Sequence, residues 1–293
     1  MSHSKLIIKQ RKPWVAGILS LLVPGLGHIY VGRWKKGLFL LPLFILAWYF
    51  LALPIPIWVP GGPLNVLLMA IIIVFLLGWP TADAVYLARQ YPEGYRLEAY
   101  DKWFIYLLVY LFAIMGYHQF SEIVGNHLWK ANKLVSTSMQ PTLLRGDHIL
   151  TDKIFYRFHT PQRGDIITFR PPEEEDKIWI KRIIGLPGDT IEVREKTVYL
   201  NGAQLEEDSF TQHLDPGTID GQLSPRDHLR PQMILPNTYF VMGDNRDQSL
   251  DSRFWGFLKR DKITGYVKVI YWSSVNPFSV TQVRWDRIGH WVQ

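Results

Sequence analysis

Residues 177–202 read KIWIKRIIGLPGDTIEVREKTVYLNG. Runs rich in β-branched and aromatic residues alternate here with Gly, Pro and Asp, which is typical of short strands joined by turns. Glu195-Lys196 and Asn201-Gly202 stand where hairpins would turn, so we expect neighbouring strands to pair antiparallel. The strands predicted in this stretch are 177–184, 190–193 and 197–200.

The same pattern continues on both sides of this stretch. Segment 203–233 interrupts it: the segment is polar, rich in Asp, Pro and Gly and without periodicity, so we predict a surface insertion. Residues 121–293 are therefore predicted to form a mainly β domain built on an antiparallel sheet. Its further predicted strands are 147–153, 165–170, 238–242 and 263–272.

Residues 1–120 have a different composition. The mean hydropathy of the chain is +0.01, but this average combines an apolar N-terminal part with the more polar β region. An apolar run at 14–31 is broken by Pro24-Gly25-Leu26-Gly27 and is predicted to be a hairpin. Longer apolar stretches are predicted as transmembrane helices, of which the last is short and would need tilting or extension. The predicted spans are 37–59, 64–87 and 103–117.

Clusters of lysine and arginine lie beside these apolar stretches. Short cytoplasmic flanks of membrane proteins accumulate such residues, so we expect the clusters to be cytoplasmic and the β domain to lie outside the cytoplasm. Loop 54–63 would then also be external. The clusters are Lys5, Lys9, Arg11 and Lys12; Arg33, Lys35 and Lys36; and Arg89, Arg96 and Lys102.

The net charge of +6 fits this topology. No long basic tract is present, so a nucleic-acid partner is not expected, whereas the lipid bilayer is. A cleaved signal peptide is an alternative interpretation of the N-terminus. The repeated later spans and the lack of a small-residue cleavage site argue against it.

The chain has no cysteine. This excludes disulfides, thiolate metal sites and cysteine nucleophiles. His28 has no second His or carboxylate nearby at metal-ligand spacing, so it is predicted to be structural. We expect no metal and no cofactor, and any catalysis must use oxygen or nitrogen groups.

Ser138 and Lys181 are the candidate catalytic pair. Ser138 lies in LVSTSMQPT, residues 134–142, between the last predicted span and the first predicted strand. A serine needs a positioned base, and the β region offers no convincing arrangement of His and Asp. Large apolar neighbours of Lys181 would favour its neutral form and lower its pKa. Taken singly, Ser138 also fits a turn or N-cap serine, and Lys181 a surface lysine.

A third segment, MGDNRDQSLDSRFWG at 242–256, combines small and charged side chains after a predicted strand. Such a loop can hold a site rigid through charge-assisted hydrogen bonds. A solvated turn and a calcium loop are the alternatives. Calcium is disfavoured because Arg246 and Arg253 would compete for the carboxylates and the EF-hand spacing is absent.

Together, the segments around Ser138, Lys181 and Asp244 resemble successive signature boxes of the type I signal peptidases, in the family's order. Residues 146–147 and 163–167 resemble the intervening box, so the resemblance covers about 134–271. The N-terminal half departs from the family, whose members often have one or two spans.

The resemblance implies a role for each matching residue. Ser138 corresponds to the nucleophile and Lys181 to the general base. Ser136 corresponds to the side chain that forms the oxyanion hole with the backbone N–H of Ser138, and Ser249 to the residue that orients the lysine. The remaining matches are structural members of the site: Met139 beside the nucleophile, Asp244, Arg246, and Asp251 paired with Arg253.

The resemblance also implies a function. The protein would be a membrane-bound serine endopeptidase that removes signal peptides from secretory preproteins after small side chains. It would lie in the bacterial inner membrane with its catalytic domain on the periplasmic or extracellular side.

Other interpretations compete with this one. They are a non-catalytic membrane scaffold, a dedicated maturation peptidase with few clients, and a self-cleaving Ser-Lys protease related to the repressors of the DNA damage response. The last is disfavoured because no DNA-binding helix pair precedes the dyad. The oligomeric state is not predicted.

Overall fold

The computed structural model describes residues 8–9, 11–47, 62–90, 95–96, 102–172, 174, 176–207, 209–275 and 282–292. The chain divides into two compact units. The first contains the N-terminal helices up to Ile123, and the second contains the β-rich part from Val124 onward. Most of the predicted loop 54–63 and the later part of the predicted span 37–59 lie outside the described residues.

Helices dominate the first unit, and two glycines set the packing at its start. Gly25 has a φ of +107°. A Cβ on Gly25 would lie 2.3 Å from the carbonyl oxygen of Gly37, and one on Gly37 would lie 2.5 Å from that of Gly25. Because the two backbones touch, both positions require glycine. The elements of this unit are α1 (Pro13–Leu22), α2 (Leu26–Tyr30), α3 (Trp34–Ala47), α4 (Gly62–Arg89), α5 (Trp103–His127), and the antiparallel pair of β1 (Ile8–Lys9) and β2 (Tyr95–Arg96).

By length and composition, two helical stretches in the described part of the chain could cross a membrane, Ala70–Arg89 of α4 and the whole of α5. Large side chains such as Trp103 and Phe112 are exposed along α5. Helix α5 extends well beyond residue 117, where the apolar stretch ends, because polar residues lower the hydropathy there without breaking a helix.

Antiparallel strands form the second unit, which confirms the prediction of a mainly antiparallel β domain. The strands are β3 (Trp129–Lys133), β4 (Asp147–Asp152), β5 (Ile166–Phe169), β6 (Trp179–Gly185), β7 (Thr190–Arg194), β8 (Thr197–Leu200), β9 (Ala203–Gln204), β10 (Leu229–Met233), β11 (Thr238–Met242), β12 (Leu258–Lys259) and β13 (Ile263–Ser273), with short helices α6 (Phe155–Phe158) and α7 (Ser252–Trp255) between them. A seven-stranded sheet has the order β12-β11-β6-β5-β13-β4-β3, and a four-stranded sheet has the order β10-β7-β8-β9.

Tight turns connect the strands of the smaller sheet. Glu195 and Lys196 have φ values of +45° and +68°, and Asn201 and Gly202 have φ values of +52° and +83°. Two successive residues with positive φ are the signature of the hairpin turn that matches strand twist. The turn positions predicted from sequence are therefore those at which β7, β8 and β9 reverse direction.

Three apolar clusters of described residues hold this unit around its strands, and two of them bear on the site. One joins the sheets, since Ile184 and Phe240 of the larger sheet pack with Ile191 and Val198 of the smaller one. The other contains Met139 and supports the turn that carries Ser138.

The sequence pattern does not predict β3, β9, β10 or β12. Strand β10 lies within the predicted insertion 203–233, yet it pairs with β7 at the edge of the smaller sheet. Only its first residue is buried. An edge strand with exposed side chains on both faces has no hydrophobic alternation for the sequence to show.

Candidate active site

Ser138 lies in a turn between β3 and β4. Its neighbours Met139 and Leu143 are 1% and 0% exposed and pack with Ile149 in the apolar core. The backbone N–H of Leu143 also donates to the carbonyl oxygen of Met139 at 2.8 Å. Because the core fixes the residues that follow Ser138, the backbone that carries its hydroxyl is held in place.

Lys181 contacts that hydroxyl directly. Its Nζ donates to Ser138 Oγ at 3.0 Å and to the carbonyl oxygen of Ile180 at 3.2 Å. Strand β6, which carries Lys181, lies between β5 and β11 in the sheet, and the residue is 4% exposed. Burial lowers the pKa of Lys181 to about 8, with Asp251 opposing this change and Arg253 adding to it. The amine is therefore neutral in a substantial fraction of molecules at mildly alkaline pH.

Ser136 stands beside the backbone of Ser138. The N–H of Ser138 donates to Ser136 Oγ at 3.2 Å. A hydroxyl and a backbone N–H thus lie side by side next to Ser138 Oγ. Two such donors can together hold a negatively charged oxygen.

Gly243 brings the loop of residues 243–253 against the turn of Ser138. A Cβ at Gly243 would lie 2.4 Å from the Ser138 carbonyl oxygen and 2.2 Å from Ser249 Oγ. Glycine is therefore required at this position. Asn245 extends the contact, because its N–H donates to the carbonyl oxygen of Ser138 at 3.1 Å.

Asp251 and Arg253 form a bidentate ion pair within this loop. Arg253 donates from Nε to Oδ1 and from Nη2 to Oδ2, each at 2.9 Å, and the Gly243 N–H donates to Oδ2 at 3.0 Å. Burial by itself raises the pKa of Asp251, but Arg253 and the hydrogen bonds outweigh it and hold that pKa below its usual range. The carboxylate is therefore ionised near Lys181.

Ser249 is buried beside the same carboxylate. It contributes to lowering the pKa of Asp251, but its hydroxyl makes no hydrogen bond of ordinary geometry to any described residue. Lys181 Nζ instead donates to Ser138 Oγ and to the carbonyl oxygen of Ile180. The orienting role that the resemblance gives to Ser249 stays a prediction.

Asp244 pairs with Arg182, a residue that the sequence analysis did not select. Arg182 donates from Nε and Nη2 to the two oxygens of Asp244 at 2.9 Å each, and Thr142 also donates to Asp244. Arg182 follows Lys181 in β6, so this pair ties the strand to the 243–253 loop. The sequence did contain a signal for this pair, namely a second basic residue in an otherwise apolar strand. A guanidinium buried in such a strand needs an acidic partner.

Arg246 binds Glu207, which comes from the segment predicted to be a surface insertion. Of the residues proposed to support the site, Asp244 thus forms one buried ion pair with Arg182, and Asp251 and Arg253 form a second one within the 243–253 loop. Arg246 belongs to a third pair, with Glu207.

A cleft of about 560 Å³ opens at Ser138 and Lys181. Two segments of the chain contribute most of its lining, residues 133–139 and residues 177–181. Most of the lining is apolar. The lining residues are Lys133, Leu134, Val135, Ser136, Ser138, Met139, Lys177, Ile178, Trp179, Ile180, Lys181, Gln248 and Leu250.

No group of three or more His, Asp or Glu side chains that could hold a metal ion occurs in the part of the chain that the structure describes. The chemistry available at the cleft is that of a hydroxyl next to an amine. A family model described as "Signal peptidase, peptidase S26" matches residues 103–272, a range that includes every residue of this site. The chain belongs to this family. The prediction of a serine endopeptidase of the signal peptidase I type is thereby confirmed.

Relatives within the S26 family are similar to about half of this chain. A probable signal peptidase I-2 from Synechocystis sp. is 36% identical over 148 residues, which are 49% of this chain and 63% of the relative. Signal peptidase I V from Bacillus subtilis is also 36% identical over 148 residues, covering 86% of its length. A signal peptidase I of known structure from Enterococcus faecalis V583 is 36% identical, over 37% of this chain and 97% of its own, with a TM-score of 0.30.

The buried amine of Lys181 gives a stability prediction for this S26 peptidase. We expect Lys181→Met to raise the free energy of unfolding at pH 7 by roughly 1–3 kcal/mol, because it removes the cost of a buried ammonium. The lowered pKa of about 8 makes that cost complete below pH 8, and the cost falls as pH rises toward 10.5, the ordinary pKa of a lysine. The advantage of Lys181→Met should therefore shrink above pH 8.

Denaturant unfolding of the second-unit transition at pH 7 and pH 9.5 would measure this effect. Lys259→Met, a change at an exposed strand lysine, is the matched control and should give no gain. An equal gain for both variants would show that burial of Lys181 is not the cause.

Proposed function

We propose that this protein is a membrane-anchored endopeptidase that removes N-terminal signal peptides from secretory preproteins, with Ser138 as nucleophile and Lys181 as general base. The observation that carries the proposal is the 3.0 Å contact between the Ser138 hydroxyl and the Lys181 amine, whose pKa is lowered to about 8. A neutral amine at that distance can accept the serine proton.

The reaction is acyl transfer in two steps. Neutral Lys181 takes the proton of Ser138, whose Oγ forms a bond to the scissile carbonyl carbon. The resulting ammonium then gives its proton to the leaving amine as the C–N bond breaks. In the second step Lys181 takes a proton from water, which attacks the ester, and Ser138 leaves with that proton.

Ser136 supports this reaction at the oxyanion. In the structure its hydroxyl accepts the N–H of Ser138. Rotation of the Ser136 side chain on substrate binding would release the Ser138 N–H, so that both groups could donate to the developing oxygen anion. Such paired donors commonly contribute about 10²–10³-fold in rate each.

The 243–253 loop holds Lys181 in its working position. Ionised Asp251 stabilises the ammonium that forms during each step, and Arg253 neutralises most of the excess charge of Asp251. Asp244 fixes the strand of Lys181 through Arg182. Met139 locks the backbone of the nucleophile by packing in the core.

The names of the relatives, probable signal peptidase I-2 and signal peptidase I V, support preproteins as the substrates. The cleft is lined by strand residues Lys133, Trp179 and Ile180, to which an extended peptide could add its backbone. Small side chains are expected beside the scissile bond, as in the cleavage sites that the family resemblance implies. A dedicated maturation peptidase would use the same cleft with fewer clients.

Cleavage of a purified preprotein tests the catalytic pair. We expect Ser138→Ala and Lys181→Ala each to lower the rate by at least about 10³-fold, because nucleophile and base act as one unit. The assay uses detergent-solubilised protein, with N-terminal sequencing of the product to locate the cut after small side chains. Lys259→Ala is the control and should cleave normally. Persistent cleavage by both active-site variants would refute these roles, and no cleavage by the folded wild type would favour a scaffold.

The pKa of Lys181 predicts the pH dependence of this cleavage. The base must be neutral, so kcat/KM should rise with pH through a midpoint of about 8 and level off above it. A fluorogenic peptide carrying the cleavage site, assayed from pH 6 to 9.5, would give the profile. A rate that is flat across this range would exclude Lys181 as the base.

We place the protein in the bacterial inner membrane with the β domain on the outer side. Two candidate spans and the basic clusters support this topology, and the similar proteins named above are bacterial. Protease added to spheroplasts should therefore degrade the β domain. An epitope after residue 290 would report it, and protection of that epitope in intact spheroplasts would contradict the orientation.

A further inference from the structure

The segment 203–233 does more than cover the surface. Glu207 is 7% exposed, and its partner Arg246 is 1% exposed. Arg246 belongs to the 243–253 loop, which packs on the backbone of Ser138. A buried carboxylate of this segment is therefore paired with the loop that supports the active site.

Glu207 fixes Arg246 with two hydrogen bonds. Arg246 Nη1 donates to Oε2 at 2.6 Å and Nη2 donates to Oε1. The Nε of Arg246 also donates to the carbonyl oxygen of Gly243 at 3.1 Å. A chain of contacts thus runs from Glu207 through Arg246 to Gly243, the glycine that touches the Ser138 carbonyl oxygen.

Phe210 makes a second connection. Its ring lies under the guanidinium of Arg182, 4.2 Å from the Cζ atom to the ring centroid. Arg182 is the residue next to Lys181 and pairs with Asp244. The ring thus contributes a cation–π contact and restricts the position of the Arg182 guanidinium.

Backbone hydrogen bonds align the two segments between these side chains. The N–H of Gln212 donates to the carbonyl oxygen of Asp244 at 3.0 Å, and the N–H of Arg246 donates to that of Gln212 at 3.0 Å. Gln212 and Asn245 form a parallel bridge. The insertion is therefore in register with the loop, and a shift of either one would move the other.

Burial explains why this connection is rigid. A carboxylate and a guanidinium removed from water are stable only as a well-oriented pair, and loss of one partner leaves an uncompensated buried charge. Each charged group therefore fixes the other in one geometry. An insertion that only shielded the surface would not need such a pair.

We propose that Glu207 and Phe210 are positioning residues for the catalytic pair, acting through Arg246 and Arg182 on the 243–253 loop and on strand β6. The kinetic part of this inference rests on the proposed function. The structural part, that Glu207 sets the order of the loop, does not.

The central comparison is Glu207→Gln against Glu206→Gln in the full-length protein in detergent. Glu206 is adjacent and exposed, so the same chemical change there is the matched control. Hydrogen exchange of the peptide covering residues 243–253 is measured first, with the peptide covering β4 as an internal reference. We expect the 243–253 peptide to exchange faster in Glu207→Gln than in the wild type. The β4 peptide of Glu207→Gln and both peptides of Glu206→Gln should exchange at the wild-type rate.

Kinetics with the cleavage-site peptide follow. We expect kcat of Glu207→Gln to fall about 10- to 100-fold with KM within about twofold, since displacement of reacting groups by about 1 Å has effects of this size. The midpoint of the pH profile should move upward, because a loosened loop admits water to Lys181. Glu207→Asp, which keeps the charge, should recover part of the rate.

Phe210 supplies an independent variant that leaves the buried ion pair intact. Phe210→Leu should lower kcat about 3- to 10-fold, whereas Phe210→Tyr keeps the ring and should stay near wild type. These variants test the inference even if Glu207→Gln unfolds. If each variant gave less folded protein, but its folded fraction kept the wild-type kinetics and pH profile, the segment would have only a stabilising role.

The outcomes separate the two proposals. Equal loop exchange and equal rates for Glu207→Gln and Glu206→Gln would overturn the positioning role while leaving the proposed function intact. If wild type cleaves no preprotein yet Glu207→Gln loosens the 243–253 loop alone, the proposed function fails and the positioning of the loop by Glu207 stands.

Discussion

The arrangement of the site in the second unit depends on the burial of one lysine amine against one serine hydroxyl. Lys181 lies in an inner strand of the sheet, where water cannot stabilise its charge, and this position lowers its pKa to about 8. A buried amine destabilises the folded state unless groups around it compensate. Asp251 supplies negative charge, Arg253 limits that charge, and Ser138 accepts a hydrogen bond from the amine.

Successive layers of contacts maintain this arrangement. The 243–253 loop packs on the Ser138 backbone because Gly243 has no side chain. Arg182 joins the same loop to the strand of Lys181, and Glu207 binds Arg246 of that loop. These last two contacts are pairs of opposite charges removed from water, for which only one geometry is favourable. Such rigidity is what a proton transfer over a fixed distance demands.

The first unit is held together by different contacts. Its helices are apolar on faces that remain exposed in the isolated chain, such as those of Trp103 and Phe112, and its packing depends on close backbone contact between Gly25 and Gly37. Glycine is therefore needed in the turn after Pro24, because a side chain at Gly25 would overlap the backbone of Gly37. The basic clusters beside the helices match the charge pattern of cytoplasmic flanks.

The sequence by itself determined the features that repeat locally. Alternation and turn residues predicted the central strands and both hairpin turns, and the ordered boxes pointed to Ser138 and Lys181. Tertiary structure decided the rest, because contacts between distant residues have no local period. Ser138 and Lys181 are 43 residues apart and Glu207 and Arg246 are 39 apart, so neither pairing is encoded by spacing. Edge strand β10 lacked a hydrophobic face, and only its pairing with β7 makes it a strand.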